Sequence, residues 1–232
     1  MLTQCVVLFD IDGTLLSTRL TEGGETRRYV ETIRDVVGKD PDVAPSRFAG
    51  MVDPQICKIL LKELGLTDYE VDNFLPKVLT RMGEVYRKME KKVALNTGVR
   101  ELLEILALSP GHVTGVLTGN LTAVAEEKLT CTGIRAYFSE FFCADAYFDR
   151  SNLVENAVRT CMTKHELNDR KDVVIVGDTP RDMEAANASR ATSVGVACGA
   201  YTMAQLSEVA PKHVYPNMEP TKELLAGLRV TQ

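Results

Sequence analysis

Basic residues are not in excess in this chain: Lys and Arg number 27 against 32 Asp and Glu, for a formal charge of −5 and a pI near 5.4. That balance lacks the electrostatic footprint of a nucleic-acid binder. The densest basic cluster, Arg87-Lys88 with Lys91-Lys92, is interleaved with Glu84 and Glu90 and reads as a solvated helix face. The six cysteines, at 5, 57, 131, 143, 161 and 198, include no Cys-Xaa-Xaa-Cys pair, and no histidine stands at zinc-ligand spacing from them. Neither a thiolate metal framework nor a disulfide scaffold is indicated. The N-terminus lacks a basic n-region, its apolar run covers only about five residues, and nothing approaches the ~20 apolar residues of a membrane span. Internal repeats and low-complexity segments are lacking as well. The remainder is an ordinary globular balance, 45% hydrophobic and 25% charged over 232 residues. One large domain, or a domain with an insert, is expected in the cytoplasm, with neither nucleic acid nor membrane as a partner.

The most informative stretch comes first. Cys5-Val6-Val7-Leu8-Phe9 is a short β-branched apolar run that ends in Asp10-Ile11-Asp12-Gly13-Thr14. Such a run reads as a strand buried on both faces, the kind found in parallel α/β sheets. Asp10 and Asp12 stand two apart and so leave the chain on the same side, close enough to share a cation, while Gly13 allows a tight turn. Carboxylates this near need compensation. Mg²⁺ suits them, because it takes hard oxygen ligands and is commonly held by one or two carboxylates plus a phosphate. The same residues are equally readable as a polar strand end with a turn.

From Leu16 to about Leu95 short apolar runs give way to helical periodicity. Val30, Ile33, Val36 and Val37 share a helical face that Gly38 ends; Asp53-Pro54 supplies an N-cap and first helical residue; a third helix is expected over 70–92 with Pro76 early in it. Strand and helix then alternate. Strands are expected at 113–117, 141–144, 173–176 and 192–196, with helices around Leu102–Leu106, Ala123–Leu129, Leu153–Val158, Ala185, 203–209 and 222–228. The expected fold is α/β: a Rossmann-like parallel sheet with helices on both faces, formed by 1–16 and 96–232, and an inserted all-helical cap over 17–95.

In open parallel sheets ligands bind beyond the carboxyl ends of the strands. Three such ends carry complementary polar groups: Asp10 and Asp12, Thr118 with Asn120, and Asp178 with Asp182; Arg150 precedes a helix in a similar relation to the sheet. Thr118 and Asn120 also suit helix caps, Asn120 most of all, and Asp178 can cap the helix that Pro180 begins. His112, His165 and His213 lie outside these clusters and are assigned no chemistry.

With these motifs the sequence resembles the haloacid dehalogenase superfamily, specifically its helical-cap phosphatases of the phosphoglycolate-phosphatase type. Asp10-Ile11-Asp12-Gly13-Thr14 is similar to the first motif, Thr118-Gly119-Asn120 to the second and Gly177-Asp178-Thr179-Pro180-Arg181-Asp182 to the fourth. Where the family usually has Lys in its third motif this chain offers Arg150, with Lys164 a poorer candidate.

The resemblance implies Asp10 as a nucleophile forming an aspartyl-phosphate and Asp12 as general acid and then base, its pKa raised in the substrate complex. It implies Mg²⁺ on the Asp10 carboxylate, the Asp12 backbone carbonyl and Asp178. Thr118, the Asp12 and Gly119 N–H groups and Arg150 would grip the phosphoryl oxygens, with Asp182 orienting Arg150 or a metal-bound water. The dehalogenases lack Asp at the second acidic position and the phosphonate-cleaving members carry a different small residue there, so Asp12 argues for phosphate esters. In the cap, Arg47 and Gly50 in the loop 46–53 are candidates to meet a small phosphorylated metabolite, with an ordinary connection the equal alternative. A monomer or weak dimer is expected. The rival readings are a phosphomutase of the β-phosphoglucomutase type and a non-catalytic binding protein on the same fold.

Overall fold

The computed structural model describes residues 5–17, 26–89 and 93–230. Its centre is a six-stranded, wholly parallel sheet in the order β5-β4-β1-β6-β7-β8. The strands are β1 (Cys5–Phe9), β4 (His112–Leu117), β5 (Glu140–Phe142), β6 (Val173–Gly177), β7 (Thr192–Val196) and β8 (His213–Tyr215). A separate antiparallel ribbon pairs β2 (Leu16–Ser17) with β3 (Ala94–Leu95). The chain leaves β1 for β4 and β5 on one side and returns to β6, β7 and β8 on the other, so β1 is the topological switch point.

Alternation along β1 shows why the sheet is covered on both faces. Cys5, Val7 and Phe9 join one apolar cluster with α4 (Val99–Leu108), α5 (Thr122–Cys131) and α9 (Lys222–Gly227), while Val6 and Leu8 join another with α6 (Arg150–Lys164) and α7 (Pro180–Ala188). Both sets are essentially inaccessible to solvent. α8 (Met203–Ser207) lies between β7 and β8 in the chain. β8 and the β2–β3 ribbon were not anticipated. Each is only two or three residues long and partly polar, too short to show a period.

Between β2 and β3 lie α1 (Arg27–Val37), α2 (Asp53–Glu63) and α3 (Asp68–Lys88). The last three residues of the third expected helix, 90–92, and residues 18–25 of the expected cap fall outside the described residues. The helices bury their own apolar cluster, which takes in Ile33, Leu60, Leu61, Val78 and Met82 and also Leu121 and Val124 of the sheet domain. The face α1 buries is rotated from the expected one. Arg28, Tyr29, Thr32 and Ile33 are buried, whereas Val30, Val36 and Val37 are half-buried. Gly38 ends α1 in the left-handed region, as expected.

A correction concerns α2. Asp53 is not its N-cap; Val52 holds that position without a side-chain bond, and the Asp53 carboxylate is engaged elsewhere. The insert is shut against the sheet domain. Asp53 N–H donates to the Gly119 carbonyl (2.7 Å), Leu121 N–H donates to Asp53 Oδ2 (3.0 Å), and Arg181 of α7 donates to the Ala49 carbonyl (2.5 Å). Gly119 allows this approach, since a Cβ there would stand 2.3 Å from the Met51 carbonyl oxygen. At Gly50 a side chain would meet Thr179 Oγ1 at 2.6 Å, on a backbone already at φ +72°.

Candidate active site

Because β1, β4 and β6 are parallel neighbours in register, with Phe9 opposite both Val116 and Val176, the residues that follow them emerge at one edge of the sheet. Asp10 follows β1, Thr118 follows β4 and Asp178 follows β6; Asp10 N–H donates to the Val176 carbonyl (2.9 Å) and keeps the loops together. Arg150, the first residue of α6, reaches into the same place and is 7% exposed. Its Nη2 donates to Asp182 Oδ1 (2.6 Å), Asp10 Oδ1 (3.2 Å) and the Leu117 carbonyl (3.3 Å). Its buried Nε has no hydrogen-bond partner among the described residues. A buried N–H that an incoming oxygen could satisfy is what an anion site requires.

Asp10, Asp178 and Asp182 place ligand oxygens within 4.8 Å of one another. Crowding shows in their protonation. Burial, with Asp182 and Asp12 nearby, outweighs Arg150 and pushes the Asp10 carboxyl up to about 7. Burial and the charges of Asp10 and Asp182 raise Asp178 well above the usual carboxylate range, although Thr14 Oγ1 donates to its Oδ1 (2.9 Å). An oxygen-only donor set with more negative than positive charge fits Mg²⁺. Asp182 also closes a capping box with Thr179, accepting from its N–H and hydroxyl. Thr179, not Asp178, is therefore the N-cap of α7, and Asp178 is left to face the cluster.

Asp12 is arranged differently. Its carboxylate is not in the three-carboxylate cluster but accepts Lys128 Nζ on both oxygens (2.7 Å each) and Asn120 Nδ2 on Oδ2 (2.8 Å). Burial opposes ionisation, yet Lys128, then Arg28 and the bonds from Lys128 and Asn120, bring its pKa below the ordinary value. Without substrate the shift is thus opposite to the rise that proton donation needs. Asn120 is no helix cap either. It donates to Asp12 and to Thr118 Oγ1 (2.7 Å) and accepts from Lys128 (3.1 Å), while Leu121 holds the N-cap position of α5.

Lys128 is the residue that sequence reasoning missed. It is wholly buried, and its ammonium stands 5.5 Å from the centre of the Tyr86 ring on α3. The signal was present: Lys128 falls in helical register with Val124, Ala125 and Leu129, a lysine on a buried face.

A cavity of about 380 Å³ lies between these loops and the insert. Asp10, Asp12, Thr118, Gly119, Arg150 and Asp178 line its floor. Over them the insert contributes Phe48, Met51, Ile56 and a polar group that was also missed, Arg28 with Tyr29 and Asp53. Arg28 Nη2 donates to Asp53 Oδ1 (2.9 Å) and Tyr29 Oη (2.8 Å), and the Tyr29 hydroxyl donates to the same carboxylate oxygen (2.5 Å). Gly50 lines the cavity. Arg47 does not; its guanidinium is half-exposed and paired with Glu63.

Comparison with known proteins places this arrangement. The family model described as haloacid dehalogenase-like hydrolase matches residues 7–196. No curated protein matches the chain. Among solved structures it is similar to one described as a predicted phosphoglycolate phosphatase from Haemophilus somnus 129PT (TM-score 0.69, 21% identity, 96% of this chain and 97% of that one). It is similar also to a hydrolase from Pseudomonas syringae (0.67, 22%, 96% and 98%). A third is a candidate β-phosphoglucomutase from Thermotoga maritima (0.58, 20%, 96% and 99%). Identities this low show a shared fold.

Proposed function

The chain belongs to the haloacid dehalogenase-like hydrolases, and from that premise we propose that it is a Mg²⁺-dependent phosphatase of small phosphomonoesters working through an aspartyl-phosphate. One observation carries the reading. Three buried carboxylates crowd at the switch point of the sheet, two of them bonded to Arg150, and face a cavity with a fourth carboxylate held apart at its edge. In this reading residues 17–95 act as a cap over the core formed by 1–16 and 96–232.

The residues divide the work by their surroundings. Asp10 attacks phosphorus, and its bond to Arg150 aims the carboxylate and keeps a cation beside the equatorial oxygens. Thr118, the Gly119 N–H and the open Nε of Arg150 receive those oxygens. The Asp10 and Asp178 carboxylates and the Asp12 backbone carbonyl would hold Mg²⁺, with Asp182 steering Arg150 from behind. When bound, the cation neutralises charge on the phosphoryl group. Asp12 gives a proton to the departing alkoxide and later takes one from the water that hydrolyses the aspartyl-phosphate. Lys128 and Asn120 favour its carboxylate form beforehand, so that proton is acquired after substrate enters.

Phosphate release from a panel of sugar phosphates, phosphoglycolate, nucleotides and p-nitrophenyl phosphate, with and without Mg²⁺, tests the proposal against Asp10→Asn. Activity in the native chain alone, falling by about 10⁴-fold or more in the variant, is expected. Equal release from both removes Asp10 as the nucleophile. A mutase on the same core would show an isomerised sugar phosphate and a bisphosphate requirement; release from no substrate would favour a binding protein.

A further inference from the structure

We infer that the alcohol released by this site carries no negative charge: the substrate is the phosphomonoester of a neutral, hydroxyl-bearing alcohol of the polyol or sugar kind, not of a hydroxy acid. The inference rests on the phosphatase reading and concerns the half of the cavity beyond the phosphoryl group. Among the described residues the cavity is lined by four carboxylates, Asp10, Asp12, Asp53 and Asp178, and by two guanidiniums, Arg28 and Arg150. Both guanidiniums are already matched. Arg150 lies between Asp10 and Asp182, and Arg28 is 4% exposed with Asp53 at 2.9 Å and Tyr29 beside it.

A carboxylate on the leaving group would need a cation with charge to spare, as buried ion pairing demands. Arg47, a sequence candidate to meet the substrate, is paired with Glu63 and does not line the cavity. With Lys128 on Asp12 and Asp182 on Arg150 included, Arg28, Arg150, Lys128 and one divalent cation only offset the carboxylates of Asp10, Asp12, Asp53, Asp178 and Asp182, so the phosphoryl dianion itself brings the site to a net negative charge. A second anion would enter against that charge between the insert and the sheet domain.

What the insert presents suits a neutral group instead. Phe48, Met51 and Ile56 form an apolar wall, and Thr26 of the insert and Tyr201 of the sheet domain bring hydroxyl groups to the lining. Asp53 is central, because its carboxylate neutralises Arg28 while also accepting Leu121 N–H from the sheet domain.

The experiment compares kcat/KM within pairs that differ only by CH₂OH against COO⁻: glycerol 3-phosphate against 3-phosphoglycerate, and 2-hydroxyethyl phosphate against phosphoglycolate. The neutral member should be favoured by about tenfold or more in each pair, a discrimination of the size that a mismatched buried charge imposes. Asp53→Asn keeps an acceptor for Leu121 N–H but removes the carboxylate that Arg28 meets in the roof, so the ratio should fall toward one through better use of the carboxylate substrates. Preference for the carboxylate member in the native protein overturns the inference, as does a ratio unchanged in a folded Asp53→Asn protein. Should that variant not fold, Asp53→Glu, which keeps the charge, must retain the native ratio, and a ratio near one overturns the inference too. Failure to hydrolyse any phosphomonoester, p-nitrophenyl phosphate included, would instead strike the phosphatase reading itself.

Discussion

At the strand ends Asp10, Asp178 and Asp182 crowd together with Arg150 between two of them, and burial raises the first two above their ordinary range. Across the cavity Arg28 pairs with Asp53, with Tyr29 closing the group. The floor therefore holds charge that is not balanced until a cation and a phosphoryl group arrive, whereas the roof is balanced as it stands. Unbalanced buried charge is costly to folding and useful to chemistry; balanced buried charge gives shape and closure without electrostatic pull. Asp12 sits where the two halves meet, compensated by Lys128 on a helix that packs under the insert.

The largest effect expected after loss of Asp10 comes from Asp12→Asn, which removes the proton donor while leaving the floor's carboxylate cluster whole. On alkyl phosphates kcat should fall by about 10²–10⁴-fold. With p-nitrophenyl phosphate, whose leaving group needs no proton, a burst of nitrophenol followed by slow turnover is expected, because transfer to Asp10 survives and its hydrolysis does not. A uniform loss on both substrate types without a burst would remove the acid role from Asp12.

Lys128→Met breaks the compensation at the meeting point. A fall in kcat of about 10–100-fold is expected, the usual consequence of losing a partner that positions a reacting group. Since Lys128 lowers the Asp12 pKa, its removal must raise it, and the acidic limb of the pH–rate profile should move to higher pH. Lys128→Arg should restore part of the rate. An unmoved limb would leave Lys128 a packing residue only.

The floor's imbalance is readable by thermal unfolding. Asp10 in the folded, metal-free protein titrates near 7, above the ordinary carboxylate value, so folding favours its neutral form. Its contribution to stability is full below the unfolded pKa and is lost as pH rises through about 7. Mg²⁺ needs the ionised form. The increase in Tm that it produces should accordingly grow between pH 6 and pH 8, and Asp10→Asn should flatten that growth; an increase independent of pH in the native protein would contradict the proposed ligand. The smallest effect belongs to Arg47→Ala, which removes an exposed pair with Glu63 away from the cavity and should leave kcat/KM unchanged for neutral and anionic substrates alike. A KM rise confined to anionic substrates would return Arg47 to the roof as a cation that attracts them.

Much of the floor was legible because it repeats one local grammar. A buried apolar run followed at once by Asp, or by Thr-Gly-Asn, announces a strand end, and parallel strands bring such ends together whatever the helices between them do. Asp10, Thr118, Asp178 and Asp182 could be read that way. Asn120 and Asp178 were open to a capping role for a local reason, since residues of these types after a strand commonly bond to the helix that follows. In the fold their side chains turn inward instead, Asn120 to Asp12 and Lys128, Asp178 to Thr14.

The roof was not legible, for a different reason. Arg28, Tyr29 and Asp53 lie on two helices whose relative placement no local period encodes, and a charged residue on an amphipathic helix ordinarily faces water. Their burial follows from α1 and α2 each packing against α3, with the start of α2 bonded to the loop after β4. The amino-acid order by itself determined the parallel sheet, the helical insert and the strand-end carboxylates, because hydrophobic period and turn chemistry act over a few residues. Only the tertiary structure decided which cations those carboxylates meet, since ion pairs between Asp12 and Lys128, or Arg28 and Asp53, depend on contacts between elements distant in the chain.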